Sequence, residues 1–259
     1  MDKQVILFEQ KQGIAYITLN RPESYNAFNT QMGMAFLEML QRCQEQDDIR
    51  VVVLKAAGKA FCSGQDLNEV LEHPRPLGEI VHERYNPMIR LITGMEKPFV
   101  CQLQGVAAGA GASLALACDY VVGSEKARLL WAFVNIGLVL DSGSSYLLPR
   151  LLGHRKAFEL ATLGMPVSAR EALELGLINQ VVQPEQLEDA VTAIAQRYAA
   201  APPKAIGLIK RMLARSFHSS LDEMLELEKT FQQMAGSTAD YQEGVKAFLE
   251  KRKPAFTGK

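Results

Sequence analysis

The 259-residue chain is 48% hydrophobic and 22% charged, with a net charge of -1, which excludes a disordered chain and leaves no basic surface for nucleic acid. That length holds one large domain, or one domain with an appendage. The four cysteines (Cys43, Cys62, Cys101 and Cys118) form no C-x-x-C pair, which argues against a disulfide framework or a metal site.

In chain order, QVILFEQ (4–10) and GIAYITLN (13–20) read as strands, the second alternating like a half-buried one. From Thr30, apolar residues recur at Met32, Ala35, Phe36, Met39, Leu40 and Cys43, which is helical spacing. IRVVVLKA (49–56) is a continuous β-branched run, expected of a strand buried on both faces. The glycine-punctuated loop AGKAFCSGQDL (57–67) follows, then the loop HPRPLG (73–78) and a helix over 79–95. FVCQL (99–103), YVVGS (120–124) and ARLLWA (127–132) read as strands, and GVAAGAGASLALACD (105–119) as small residues leading into a helix. Beyond Asp141 the chain is mostly helical. Ser168-x-x-Glu171 and Ser220-x-x-Glu223 are capping-box patterns, and helices are predicted near 186–199, 204–216, 221–235 and 240–251. Alternating strands and helices followed by helices alone define an α/β core with a helical C-terminal part. MDKQVILFEQ has no signal-peptide layout, so a cytoplasmic protein with no membrane span is expected.

Three stretches carry candidate chemistry. GAGASLA (109–115) lacks the third glycine of a dinucleotide fingerprint, since Leu114 stands in its place. Gly105-x-x-x-Gly109 suggests a membrane helix, but Asp119 ends the apolar run too early. Ser113, Asp141 and His154 fall in hydrolase order, yet Ser113 lies ten residues beyond the preceding strand, too far for a nucleophile elbow. What remains is a small-residue turn opening a helix, where backbone N–H groups point outward and can hold an anion. FCSGQDL (61–67) is a second such place, or simply a turn. Two N–H donors from two loops can form an oxyanion hole. In NIGLVLDSGSSYLLPR (135–150) a lone acid, Asp141, sits inside an apolar run; it reads either as a helix cap or as a functional carboxylate. The four histidines show no metal-ligand spacing. Tyr85, Trp131, Phe133 and Tyr146 can line an apolar pocket, although aromatic residues usually belong to the core.

NRPESYNAFN, GKAFCSGQDL, GVAAGAGASLALACDYVV and NIGLVLDSGSS...LPRLLG resemble, in that order and over nearly the whole chain, the crotonase (enoyl-CoA hydratase/isomerase) superfamily. The resemblance implies an α/β fold: a crotonase-like spiral of ββα units over 1–200 that binds an acyl-CoA substrate, and a helical trimerisation region over 201–259. It implies a homotrimer or a dimer of trimers, with association with other acyl-CoA pathway enzymes. It implies an oxyanion hole from the N–H groups of Gln65 and Ala110. CoA is expected to lie near Ser24, Tyr25, Ala27, Ala60, Ser63, Gln65, Asp66 and Leu67, and the acyl group near Tyr85, Asn86, Ser113 and Phe133. No cofactor or metal is expected, because CoA is part of the substrate.

The departures from the pattern set the expected chemistry. Hydratases of the superfamily carry two glutamates, and the matching positions here hold Ser113 and Phe133, neither of which can act as a carboxylate base. Asp141 stands at a third position that some members use, and is the expected catalytic acid–base. VAAGAGASLAL, WAFVNIGLVLDSGSSYLLPR and the stretch from LEKTFQQ to the end resemble the branch that isomerises the ring-1,2-epoxide of phenylacetyl-CoA to oxepin-CoA. Relatives also shift a 3-enoyl double bond to the 2 position. A dehalogenase branch uses an aspartate there as a nucleophile, so hydrolytic or nucleophilic use of Asp141 is the alternative, and a non-catalytic acyl-CoA-binding subunit is a third. Burial against Leu140 and Phe133 is expected to raise the Asp141 pKa from about 3.9.

Overall fold

The computed structural model describes residues 4–259. Strands β1 (Ile6–Lys11) and β2 (Ile14–Leu19) form an antiparallel hairpin. Its two-residue turn places Gln12 at φ 52° and Gly13 at φ 78°, the left-handed pair that matches strand twist in tight hairpins. Asn29 then caps α1 (Thr30–Glu45), its side chain accepting the Met32 N–H. The chain returns as β3 (Val51–Ala56), parallel to β2, with Val51 to Leu54 fully buried as the β-branched run predicts.

A less regular passage follows: α2 (Leu67–Glu72), α3 (Leu77–Ile80), a π-helical turn (Val81–Tyr85) and α4 (Asn86–Gly94), the last three forming one continuous helix. β4 (Phe99–Leu103) rejoins the sheet, then come β5 (Val106–Ala108), α5 (Ala110–Leu116), β6 (Tyr120–Ser124) and β7 (Arg128–Leu130). After a 3-10 turn at Ala132–Ile136, α6 (Ser144–Leu163) leads to β8 (Val167–Ser168), α7 (Ala169–Glu174) and β9 (Gln180–Val182). Four helices close the chain: α8 (Leu187–Ala199), α9 (Pro203–Ser216), α10 (Leu221–Gly236) and α11 (Ala239–Leu249).

Six strands form one sheet in the order β1-β2-β3-β4-β6-β9, parallel apart from the first hairpin, and β5-β7-β8 form a second. One face of the large sheet packs Val51, Val53, Val100 and Val122 against Leu187, Val191 and Ala195 of α8. The other faces the main core, with Phe28, Phe36, Phe61, Phe99 and Trp131. The second sheet lies beside the loop after β3 through a Cys62–Ala107 bridge, and so it sets where that loop meets α5. The C-terminal helices are fastened to this frame: the Lys210 ammonium donates to Asp119 Oδ2 at 2.6 Å and to the Ile92 carbonyl at 2.8 Å.

Several elements differ from the sequence reading. β5, β8 and β9 fall in stretches read as helix lead-in or helix, and the 127–132 strand ends at Leu130. The helix expected from 79 begins at Leu77. The Ser220 capping box is complete, whereas at Ser168 only the hydroxyl-to-Glu171 N–H half forms. No described helix is long and apolar enough to cross a membrane. Among the described residues, no group of three or more His, Cys, Asp or Glu can hold a metal ion.

Gly94, exposed at the end of α4, has no atom within 4 Å of an added Cβ and does not have positive φ. Gly94→Ala is expected to stabilise the protein by about 0.5–1 kcal/mol through lower unfolded-chain entropy; chemical denaturation measures it, and a loss of stability refutes it.

Candidate active site

Asn26 anchors the loop after β3. It is fully buried at φ 56°, and its side-chain amide donates to the carbonyls of Ala57 (2.9 Å) and Ala60 (3.0 Å) while accepting the Arg21 N–H. Arg21 also pairs with Asp66 at 2.9 Å. The NRPESYNAFN stretch is therefore the brace of this loop. Across it, Phe28 N–H donates to Gly64 O (2.7 Å) and Asp66 N–H to Phe28 O (3.0 Å). These bonds bracket Gln65, and among the described residues no protein acceptor takes the Gln65 N–H.

The second turn is built by Gly109. Its φ of 53° and ψ of -123° are open in practice to glycine alone, and its N–H donates to Leu130 O. Ala110 is the first residue of α5, so its N–H has no intrahelical acceptor. The turns meet closely. A Cβ added at Gly64 would lie 2.9 Å from Ala108 O and 3.4 Å from Ala110 N, and one at Gly111 would lie 2.3 Å from Cys62 O. The structure thus brings the two N–H groups singled out in the sequence to one place.

Both turns open onto a cavity of about 660 Å³ whose walls are mainly apolar, including Leu67, Val70, Phe133, Val139 and Leu140. Its lining holds a single carboxylate, Asp141. Ser142 at φ 48° and Gly143 at φ 80° form a left-handed pair between Asp141 and α6. The helix cap is Gly143, with no side-chain capping bond. The Asp141 carboxylate is therefore not spent on the helix; it accepts one hydrogen bond, from Ser142 Oγ at 2.8 Å. Burial raises its pKa above the ordinary aspartate range, and the Ser142 hydrogen bond opposes that rise.

Tyr85 and Phe133 line this cavity. Ser113 and Asn86 do not. Ser113 is fully buried in a chain running from Trp131 Nε1 to Ser144 Oγ (3.0 Å), on to Ser113 Oγ (2.5 Å), and on to Gly109 O (3.1 Å). A carbonyl only accepts, so Ser113 spends its proton on Gly109 O and Ser144, which accepts from the indole, donates to Ser113. Ser113 therefore ties the Ala110 turn to the start of α6. Asn86, half-buried, opens α4 just after Tyr85.

Of the residues expected to face CoA, Ser63, Gln65 and Leu67 line the cavity. Tyr25, 48% exposed, accepts the Ser63 N–H on its carbonyl, and Ser24 O accepts Ser63 Oγ at 3.3 Å. Ala27 and Ala60 are buried, and Asp66 both caps α2 and pairs with Arg21. Sequence reasoning missed Arg84, a buried cation touching Gln65; nothing in the local pattern of VHERYNP marks it. It also missed Asn26, for which an asparagine inside a turn-rich stretch was the available signal.

Two unspent N–H donors and one carboxylate around a mainly apolar cavity are groups that can activate a carbonyl and move a proton. Residues 9–259 match the enoyl-CoA hydratase/isomerase family, and the chain belongs to that family. It is 43% identical over 260 residues to the 1,2-epoxyphenylacetyl-CoA isomerase of Escherichia coli (strain K12), covering 99% of each chain. It is 35% identical over 264 residues to the trans-2-decenoyl-[acyl-carrier-protein] isomerase of Streptococcus mutans, covering 100% of each. A crystal structure of an enoyl-CoA hydratase from Mycobacterium smegmatis superposes with a TM-score of 0.91 at 32% identity, over 97% of this chain and 98% of that one. The α/β crotonase fold expected from the motifs is thereby shown.

Proposed function

We propose that the protein is an acyl-CoA isomerase that uses Asp141 as its proton carrier, and that its substrate is 2-(1,2-epoxy-1,2-dihydrophenyl)acetyl-CoA, converted to oxepin-CoA. The observation that carries this reading is the lone, partly buried carboxylate of Asp141 in a mainly apolar cavity that also holds the free Gln65 and Ala110 N–H groups. The 43% identity to an epoxyphenylacetyl-CoA isomerase supports the substrate.

The thioester oxygen accepts hydrogen bonds from the two N–H groups, each contributing about 3–4 kcal/mol to the transition state. Charge drawn onto that oxygen acidifies the adjacent C–H. Asp141 takes this proton and returns it at another carbon; in the epoxide the carbon–carbon bond shared by the three- and six-membered rings breaks while both C–O bonds are kept, the double bonds shift, and the reaction has no net proton change. Phe133 and Ser113 occupy the two glutamate positions of the hydratases, which leaves no second carboxylate in the cavity lining to activate water. The same reading includes a shift of a 3-enoyl double bond to the 2 position. It also includes a homotrimer or dimer of trimers, supported by exposed apolar residues on the C-terminal helices such as Leu213, Val245 and Phe248.

The test uses 3-hexenoyl-CoA and then the epoxide, with wild type and Asp141→Asn in parallel, products being followed by mass. An unchanged mass with a moved double bond is expected, slowed about 10²–10⁴-fold in the variant. Gain of one water, full activity of Asp141→Asn, or a covalent acyl- or aryl-enzyme overturns the proposal.

A further inference from the structure

Gln65 is placed in the site by its backbone N–H, but its side chain is held by something else. Its Oε1 accepts the Tyr85 hydroxyl at 2.5 Å and Arg84 Nη1 at 3.1 Å. A guanidinium has only donors, so the amide orientation is forced: oxygen toward Arg84, nitrogen away. Tyr85 must then donate as well, and burial, the main cause of its raised pKa, keeps that hydroxyl protonated. The two donors are consecutive residues of the π-helical turn Val81–Tyr85. Such turns are costly and concentrate at functional sites. Here the turn delivers two neighbouring side chains to one acceptor.

Arg84 does more than hold Gln65. The same Nη1 lies 3.2 Å from the Phe28 carbonyl, and Nη2 donates to Thr30 Oγ1 (2.7 Å) and Glu69 Oε2 (3.2 Å). The Phe28 backbone is the partner that brackets the Gly64–Gln65 peptide. One buried cation, 7% exposed, therefore joins both sides of the peptide that presents the free N–H. Gly64, at φ 95°, is the soft link on its other side. Tyr85 is in addition a wall of the cavity, so the surface that meets the acyl group is bonded to the loop that meets the thioester.

We infer that the Gln65 side chain, clamped by Arg84 and Tyr85, is the positioning residue that fixes the direction of the Gln65 N–H and couples the acyl wall to carbonyl polarisation. The inference rests on the reading of that N–H as a thioester donor. Gln65→Met keeps the length and removes the acceptor, Gln65→Glu restores an acceptor for both donors, and Tyr85→Phe removes one donor.

The probe is 4-aminobenzoyl-CoA, a push–pull thioester whose absorption moves to longer wavelength as its carbonyl is polarised. Binding is measured separately by calorimetry, and 3-hexenoyl-CoA supplies kcat and KM. In wild type the bound probe is expected to shift red. In Gln65→Met the shift is lost although the probe still binds, and kcat falls about 10- to 100-fold with KM little changed. Gln65→Glu recovers most of the shift, and Tyr85→Phe lies between. A full red shift in Gln65→Met, or equal loss in Gln65→Met and Gln65→Glu, overturns the clamp while leaving the thioester reading intact. Binding without any shift in wild type overturns the thioester reading and the clamp with it.

Discussion

Gly111→Ala is expected to lower kcat about 100-fold and to cost about 1–3 kcal/mol of stability, in keeping with overpacking of a tight interior. The added methyl would sit 2.3 Å from Cys62 O and 2.8 Å from both the Cys62 carbonyl carbon and Cβ. Two of these are backbone atoms, so no rotamer change relieves the clash. The Cys62 carbonyl also accepts the Ala108 N–H at 2.8 Å, so pushing it away breaks the bridge that aligns the two turns. Either α5 or the loop must move by a sizeable part of an ångström. Both carry the N–H donors, and a rigid donor pair gains its strength from aim. Thermal unfolding with steady-state kinetics checks the result; wild-type turnover in Gly111→Ala would show that the spacing of the turns does not govern the reaction.

How far such a site can be read from sequence depends on how local its causes are. β1, β2, α1 and β3 were legible because each carries a full period of its pattern or an uninterrupted apolar run. β8 and β9, of two and three residues, are too short for a period of two to register. The two N–H donors were visible as glycine-marked turns, and Asp141 as an acid in an apolar run. The direction of Ser113 was not, because all seven residues of α5 are buried; with no polar face, the helix carries no mark of which side meets the cavity. Arg84 was illegible for a different reason. Its partners Phe28 and Thr30 lie more than fifty residues away in sequence, and only the fold brings them together.

Asp141 is expected to make the protein less stable at neutral pH in proportion to its usefulness there. Burial raises its pKa in the folded state, so the native protein holds this proton more tightly than the unfolded chain does. Stability from this group is then fully present below the unfolded pKa of about 3.9 and is lost as pH rises through the raised folded value. Above that value the carboxylate is charged, and its partial desolvation is only partly offset by the Ser142 hydrogen bond. Asn at this position cannot titrate, and its side-chain oxygen still accepts from Ser142. Asp141→Asn should therefore melt higher than wild type at about pH 7, with the gap closing as the pH falls toward about 4. Activity runs the opposite way: kcat/KM of wild type falls on acidification through the raised pKa, because the protonated acid cannot take the first proton. The two curves share one group, so the midpoint of the activity loss should fall at the pH where the melting difference levels off. A wild type that is the more stable form at neutral pH, or a melting difference that ignores pH, would mean that the Asp141 carboxylate is a structural anchor rather than a base held ready at a cost to the fold.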